Sequence, residues 1–337
     1  MNTNHQLATL ALRQYGLEDA QLALSQDKWN ITYCVTGANG QKYNLRICGA
    51  AMQDAERIHD EMIFLDFVAQ RGQIRVPKPV RNVDGEFVTT VEADERRICC
   101  LFEWIEGDVV RDALTDSVMH KMGRATAFLH QAAHAFRFPT PDDPFRRGYD
   151  YDEAVILQHR EWMAALGDQI SPERRELLNR AIDHVLAQFA QIPKHRDTYG
   201  FIHADLNPNN FVVTNVGLED EEVSVIDFEQ LGRGYFCIDF ANMKAELLDR
   251  YGGHSRLAVS QNEGFMRKWN QYKAGYQTIS SLPFTDEAEL DPFIMTVDLN
   301  FLDWIYNTPT LHVREQYDER FQATHELIRL QLETKAT

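Results

Sequence analysis

The sequence predicts an α+β protein of two lobes, a small antiparallel sheet carrying one packed helix and a larger, mainly helical part behind it. Short β-branched and aromatic runs dominate residues 1–105, and runs of helical period dominate residues 106–337. A chain of 337 residues is also long enough for about two cores of ordinary size.

Leu7, Leu10, Ala11 and Tyr15 recur at helical spacing, and Gly16 marks the end of a leading helix. Residues 31–36 and 42–48 read as two strands joined through Gly37-Ala-Asn-Gly40, whose Asn-Gly pair favours a hairpin turn. Ile58, Met62, Leu65 and Val68, with Phe64, follow a helical period over residues 55–70 before Gly72 stops it. A short segment at residues 76–80 and strands at residues 87–91 and 97–105 complete the first lobe, which ends at residue 105. Beyond it, residues 118–133 and 172–192 carry long helical periodicity. The runs at residues 211–214 and 223–227 flank Glu219-Asp-Glu-Glu222, which reads as a solvated hairpin tip because no metal-ligand spacing accompanies it.

Hydrophobic residues at 44% and charged residues at 25% are the usage of a globular protein in water. No apolar run approaches the roughly 18 residues that span a bilayer, so no membrane partner is expected. The first thirty residues lack the basic start and apolar stretch of an export signal. Five cysteines without C-x-x-C spacing suggest neither a disulfide framework nor a zinc site and suit the cytoplasm. A net charge of -17 repels phosphate backbones and anionic lipid, excluding nucleic acid as an expected partner. The same charge suits a cationic ligand, or serves solubility alone.

The chemistry is concentrated in Phe201-Ile-His-Ala-Asp-Leu-Asn-Pro-Asn-Asn-Phe211, where an apolar strand runs into a polar loop holding His203, Asp205 and Asn210. A second strand, Val225-Ile-Asp-Phe-Glu229, delivers Asp227. Phosphoryl transfer needs one carboxylate to orient the attacking hydroxyl and accept its proton, and oxygen ligands to hold Mg²⁺ against the phosphates. Asp205 suits the first task. Asn210 and Asp227 suit the second, because Mg²⁺ is held by few protein oxygens while water and phosphates complete its octahedron. Asp-Leu-Asn-Pro-Asn-Asn alone is equally an ordinary turn, and the second strand with its acid makes the joint pattern specific. His203 is read as a support for the loop, with a base role as the alternative.

These segments resemble the aminoglycoside phosphotransferase and choline kinase superfamily, relatives of the protein kinases, nearly end to end. His203, Asp205 and Asn210 meet its H-x-D-x-x-x-x-N pattern, and Ile226-Asp-Phe-Glu229 meets its metal-binding I-D-[FW]-[ED]. The resemblance implies a bilobal, protein-kinase-like fold, ATP and Mg²⁺ as cofactors, and transfer of the γ-phosphate to a small-molecule hydroxyl. It also implies that Asp239, in Cys237-Ile-Asp-Phe-Ala241, stabilises the catalytic loop, and it extends to Met122-Gly-Arg-Ala-Thr-Ala-Phe-Leu-His130. In the first lobe Arg46 stands where the family carries a phosphate-binding cation, and Glu61 where it carries the acid that orients it; a surface ion pair is the plainer alternative. The loop Ser25-Gln-Asp-Lys-Trp-Asn30 has no glycines where protein kinases carry G-x-G-x-x-G; the resemblance implies a short polar loop instead, with Asn30 where the small-molecule kinases often carry Asn and the backbone amides of residues 25–29 over the phosphates. Phe102, Glu103, Trp104 and Ile105 are expected to meet the adenine, with Phe102 and Ile105 on its ring, or else to be plain strand core.

The acceptor falls to the C-terminal helices, where Asp298, Asp303, Trp304 and Tyr306 combine acids with aromatics able to hold an ammonium; amphipathic packing explains them equally. An amino alcohol, amino sugar or homoserine-like amino acid is the cationic choice, against a neutral acceptor. A protein Ser/Thr kinase and a nucleotide-binding regulator without turnover are the competing functions. The short stretch of residues 228–238, without an activation segment, speaks against the former, and the intact Asp205, Asn210 and Asp227 against the latter.

Overall fold

The computed structural model describes residues 3–27, 29–49, 54–112, 114–137, 150–252, 259, 262–307 and 318–334. Helix α1 (Thr3–Gln14) packs on a six-stranded sheet of β1 (Gln21–Asp27), β2 (Ile31–Thr36), β3 (Lys42–Ile47), β4 (Pro79–Val80), β5 (Val88–Glu92) and β6 (Arg96–Glu103). The order across the sheet is β1-β2-β3-β6-β4, with β5 also on β6, and every pairing is antiparallel. Strand side chains alternate between faces. Leu45 and Ile47 therefore join Leu7, Ala11 and Leu12 of α1, while Cys48, Cys100 and Phe102 turn to the other face, where helix α2 (Ala55–Arg71) buries Ile58, Met62 and Leu65. Asp54 caps α2 by accepting from the N–H groups of Glu56 and Arg57, and Gly72 ends it in the left-handed region at φ 63.

The hairpin, the helix and the strands of this lobe follow the sequence pattern, but β1 departs from it. Gln21–Asp27 pairs with Ile31–Thr36, so Ser25, Gln26 and Asp27 are ladder residues and the expected loop contracts to a turn; Lys28 lies outside the described residues. The strand hides in the sequence because it is an edge with nearly every side chain exposed, which leaves no period of two to read.

The rest of the chain is mainly helical: α3 (Asp116–Ala135), α4 (Glu153–Ala165), α5 (Pro172–Phe189), α6 (Cys237–Gly252), α7 (Glu263–Gln277), α8 (Asp291–Asn307) and α9 (Asp318–Thr334). Helices α3 and α7 cross at backbone contact. A Cβ on Gly123 would stand 1.9 Å from the Tyr272 carbonyl oxygen, and one on Gly275 would stand 1.9 Å from that of His120. Only glycines allow this approach, so Gly123→Ala is expected to cost at least about 1–3 kcal/mol, read as a lowered denaturant midpoint with an unchanged m-value.

Two small sheets lie between these helices and the first lobe. β7 (Asp108–Val109), β10 (Phe211–Thr214) and β11 (Glu222–Val225) form one in the order β11-β10-β7. β8 (Asp150–Tyr151), β9 (Tyr199–Ile202) and β12 (Gly232–Tyr235) form the other, with β12 parallel to β8 and antiparallel to β9. Loop 203–210 thus leaves β9 and enters β10, while loop 226–231 leaves β11 and enters β12, so the two loops emerge side by side. The acidic turn is not wholly solvated. Glu221 is buried, accepting from Ser117 Oγ at 2.6 Å and the Gly217 N–H at 2.8 Å, with Lys121 Nζ 3.0 Å away, so the hairpin docks on α3. Among the described residues no helix is long and apolar enough to cross a membrane.

Candidate active site

Loop 203–210 is held from behind by one acid. Asp239, fully buried at the start of α6, accepts the His203 N–H at 3.2 Å and the Ala204 N–H at 2.8 Å. His130 Nε2 lies 3.1 Å from the same carboxylate, and His130 Nδ1 lies 3.0 Å from Tyr276 Oη on α7. This support forces Ala204 to φ 66, a conformation that L residues rarely adopt.

His203 is fully buried, and its two ring nitrogens are both used. Nδ1 accepts from the Asp205 N–H at 3.3 Å, which leaves Nε2 to donate to the Ile226 carbonyl oxygen at 2.9 Å. The ring joins the two loops and has no nitrogen left for a reacting proton.

Asp205 is oriented by amides. Asn207 Nδ2 donates to its Oδ1 at 2.9 Å, and Asn210 Nδ2 donates to its Oδ2 at 2.8 Å and to its backbone oxygen at 2.7 Å. Burial pushes the carboxyl up, the Asp227 charge adds to this, and the two amides oppose it. With Nδ2 committed, Asn210 Oδ1 has no donor among the described residues and is available to a hard cation.

Asp227 stands at the end of β11 with φ 66. The Asn210 carbonyl accepts the Ile226 N–H at 2.9 Å, so the bases of the two loops are adjacent. Protein atoms surround Asp227 closely and burial pushes its carboxyl up, yet the residue remains exposed, which tempers that push, and Arg46 opposes it. Glu229, two residues on, is carried up to about 7 by burial and by the Asp227 charge.

Arg46 and Glu61 meet inside the first lobe. Nη1 and Nη2 donate to the two carboxylate oxygens at 2.9 and 2.8 Å, both residues are buried, and the guanidinium stands 5.3 Å from the Phe102 ring centroid. The pair is no surface ion pair. Arg46 Nε is buried without an acceptor among the described residues.

Other expected residues are placed differently. Phe102 is 3% exposed, packs in the core and faces Arg46. The Glu103 N–H donates to the Lys78 carbonyl at 2.8 Å and the Trp104 N–H to that of Lys42 at 3.2 Å, leaving Ile105 with the free donor of this segment among the described residues. Asn30 is buried, accepts the Gly49 N–H at 3.0 Å and donates to the Glu229 carboxylate. Asp298, Asp303, Trp304 and Tyr306 do not share one face: five residues of helix put Asp303 about 140° round α8 from Asp298. Asp298 is 1% exposed, Trp304 lies against Phe301, and Tyr306 packs on Trp162 and Phe321. Asp303, pushed up to about 6 by burial, is 3.8 Å from His159 Nδ1. A surface groove at the start of α5, lined by Ser171, Arg175 and Arg180, includes none of these residues.

Residues 22–279 match the Phosphotransferase enzyme family. The chain belongs to that family. This phosphotransferase is a kinase that phosphorylates the hydroxyl group of a small molecule. It is 25% identical over 302 residues to amicoumacin kinase of Bacillus subtilis (strain 168), covering 88% of this chain and 81% of that one. It superposes on the microcompartment-associated aminopropanol kinase with a TM-score of 0.74 at 25% identity, covering 98% of each chain. The amicoumacin kinase hAmiN, solved with AMP-PNP, Ca²⁺ and Ami, gives a TM-score of 0.74 at 20% identity over 96% of this chain and 92% of that one. The bilobal, kinase-like α+β architecture read from the sequence is therefore the fold of the phosphotransferase.

Three contributors escaped the sequence. Arg57 of α2 donates to the Glu229 main-chain carbonyl, His130 buttresses Asp239, and Asn207 orients Asp205. Asn207 lies inside the catalytic loop among residues prone to such local bonds, and His130 closes a stretch that resembles the family, whereas Arg57 carries no signal.

Proposed function

We propose that this phosphotransferase moves the γ-phosphoryl group of ATP onto the hydroxyl of a small amino alcohol, with Asp205 as the group that orients the hydroxyl and takes its proton. The observation that carries the proposal is the two-sided grip of Asn207 and Asn210 on the Asp205 carboxylate, in a loop tied to the one that bears the exposed Asp227. Asn210 Oδ1 and Asp227 would hold Mg²⁺. No group of three His, Cys, Asp or Glu side chains among the described residues is arranged to bind a metal unaided, which suits an ion completed by phosphates and water. Bound Mg²⁺ would neutralise charge on the phosphates. Arg46, its guanidinium plane fixed by Glu61, would present its positive charge to the phosphates, and His203 acts as support. The adenine edge would meet Ile105, the phosphates the turn at Asn30, and the nucleotide lobe would comprise residues 1–105, with residues 106–337 carrying the catalytic loop and acceptor.

The acceptor's cationic character is supported by the net charge of -17 and by the similarity to an aminopropanol kinase, whose name is that of an amino alcohol. Asp298 is buried among the helices and Tyr306 is held between Trp162 and Phe321, so neither is proposed to bind the acceptor. Five free cysteines and dependence on ATP support a cytoplasmic place. ADP release measured with Mg²⁺-ATP against amino alcohols, amino sugars, homoserine and matched neutral alcohols tests the proposal. Turnover is expected with an aminated acceptor, and a preference for the neutral alcohols overturns it.

A further inference from the structure

We propose that Arg57 and Asn30 form a latch on Glu229 through which the nucleotide lobe sets the position of Asp227, with Arg57 as a positioning residue. The inference rests on the metal role given above to Asp227. Arg57 and Glu61 are four apart on α2 and share one face of the helix. Glu61 holds Arg46 through two hydrogen bonds, and Arg57 donates to the main-chain carbonyl of Glu229. One helix face therefore aims the phosphate-binding cation and grips the metal loop. The Asp54 side chain fixes where that face begins by accepting the Arg57 N–H at 3.2 Å.

A second tie reaches the same residue from the sheet. Asn30 donates to the Glu229 carboxylate and accepts the Gly49 N–H at 3.0 Å. The turn lies so close to the end of β3 that a Cβ on Gly49 would stand 2.0 Å from the Trp29 carbonyl oxygen. The turn, β3 and α2 thus all converge on a residue two positions beyond Asp227.

The backbone of Asp227 explains why this matters. At φ 66 it occupies a conformation that persists only when its surroundings over-determine it. On its N-terminal side Ile226 is pinned from the second lobe, its N–H on the Asn210 carbonyl at 2.9 Å and its carbonyl on His203 Nε2 at 2.9 Å. On its C-terminal side Glu229 is pinned from the first lobe by Arg57 and Asn30. The metal-binding acid is suspended between the lobes, so loosening either tie weakens the ion's site without touching a ligand.

The test uses the full chain and calorimetric binding of AMP-PNP at graded Mg²⁺, which needs no acceptor. Arg57→Met and Asn30→Ala are each expected to raise the Mg²⁺ concentration for half-maximal nucleotide binding by about tenfold, and the double variant by little more than either, since both act through one residue. Arg57→Lys, which keeps a donor, is expected to restore most of the loss, and the melting temperature of Arg57→Met should stay near that of the parent chain. An unchanged Mg²⁺ requirement in Arg57→Met, or a double variant weakened by the product of the single effects, overturns the latch. Asp227→Ala serves as the reference: if it raises the Mg²⁺ concentration for half-maximal binding while the latch variants leave it unchanged, the latch alone fails. If Asp227→Ala leaves the requirement intact, the metal site itself fails and the latch with it.

Discussion

Replacing Asp205 with alanine is expected to lower kcat by roughly 10²–10⁴ while AMP-PNP still binds, because a positioned general base contributes about that much and makes no ground-state contact with nucleotide. The structure sharpens the expectation. The carboxylate is held on both oxygens by Asn207 and Asn210, so what is lost is one oriented acceptor rather than a mobile charge. His203 cannot take over, since its Nδ1 accepts from the Asp205 N–H and its Nε2 donates to Ile226. Asn207→Ala serves as a control. It leaves the carboxylate but frees one of its oxygens, and should fall between the parent chain and Asp205→Ala in kcat. Turnover near the parent level in Asp205→Ala, followed as ADP release at saturating ATP, would remove Asp205 from the chemistry.

The largest effect on stability is expected at Asp239. Its carboxylate collects the N–H groups of His203 and Ala204 and the ring of His130, all inside the protein. Alanine there leaves two buried backbone donors and an imidazole without their acceptor. Each unsatisfied group costs about 1–3 kcal/mol, and the loss of a buried charged partner about 3–5 kcal/mol. We expect Asp239→Ala to lose about 3–5 kcal/mol of unfolding free energy in urea and to lose turnover with it, since Ala204 at φ 66 is no longer held. A loss below about 1 kcal/mol would show that water or a neighbour satisfies those donors, and that the acid does not hold the loop.

What could be read before the structure was what is local. His203, Asp205 and Asn210 sit in one loop and Asp227 at the end of the next strand, so spacing carries their relation. Arg46 and Glu61 were also legible, one on an alternating strand and the other on a helix with clear period. The rest is nonlocal or featureless. Arg57 meets Glu229 across 172 positions and His130 meets Asp239 across 109, separations that no spacing rule spans. β1 is an exposed edge without alternation, and the two-residue strand β8 is too short to carry a period. The acids and aromatics of α8 misled for the opposite reason. They are neighbours in sequence, but a helix turns about 100° per residue and sends neighbours to different surroundings.

The bare-backbone crossing of α3 and α7 reaches further than packing. Gly275 precedes Tyr276, whose hydroxyl steadies His130, whose ring steadies Asp239, whose oxygens seat the backbone ahead of Asp205. Spreading those two rods by the width of one methyl group would travel down this line of rigid contacts to the place where the proton leaves. Attempts to harden the enzyme against heat by filling that seam would therefore tax its speed, and thermal tolerance is better sought at the far surface of α5 and α9.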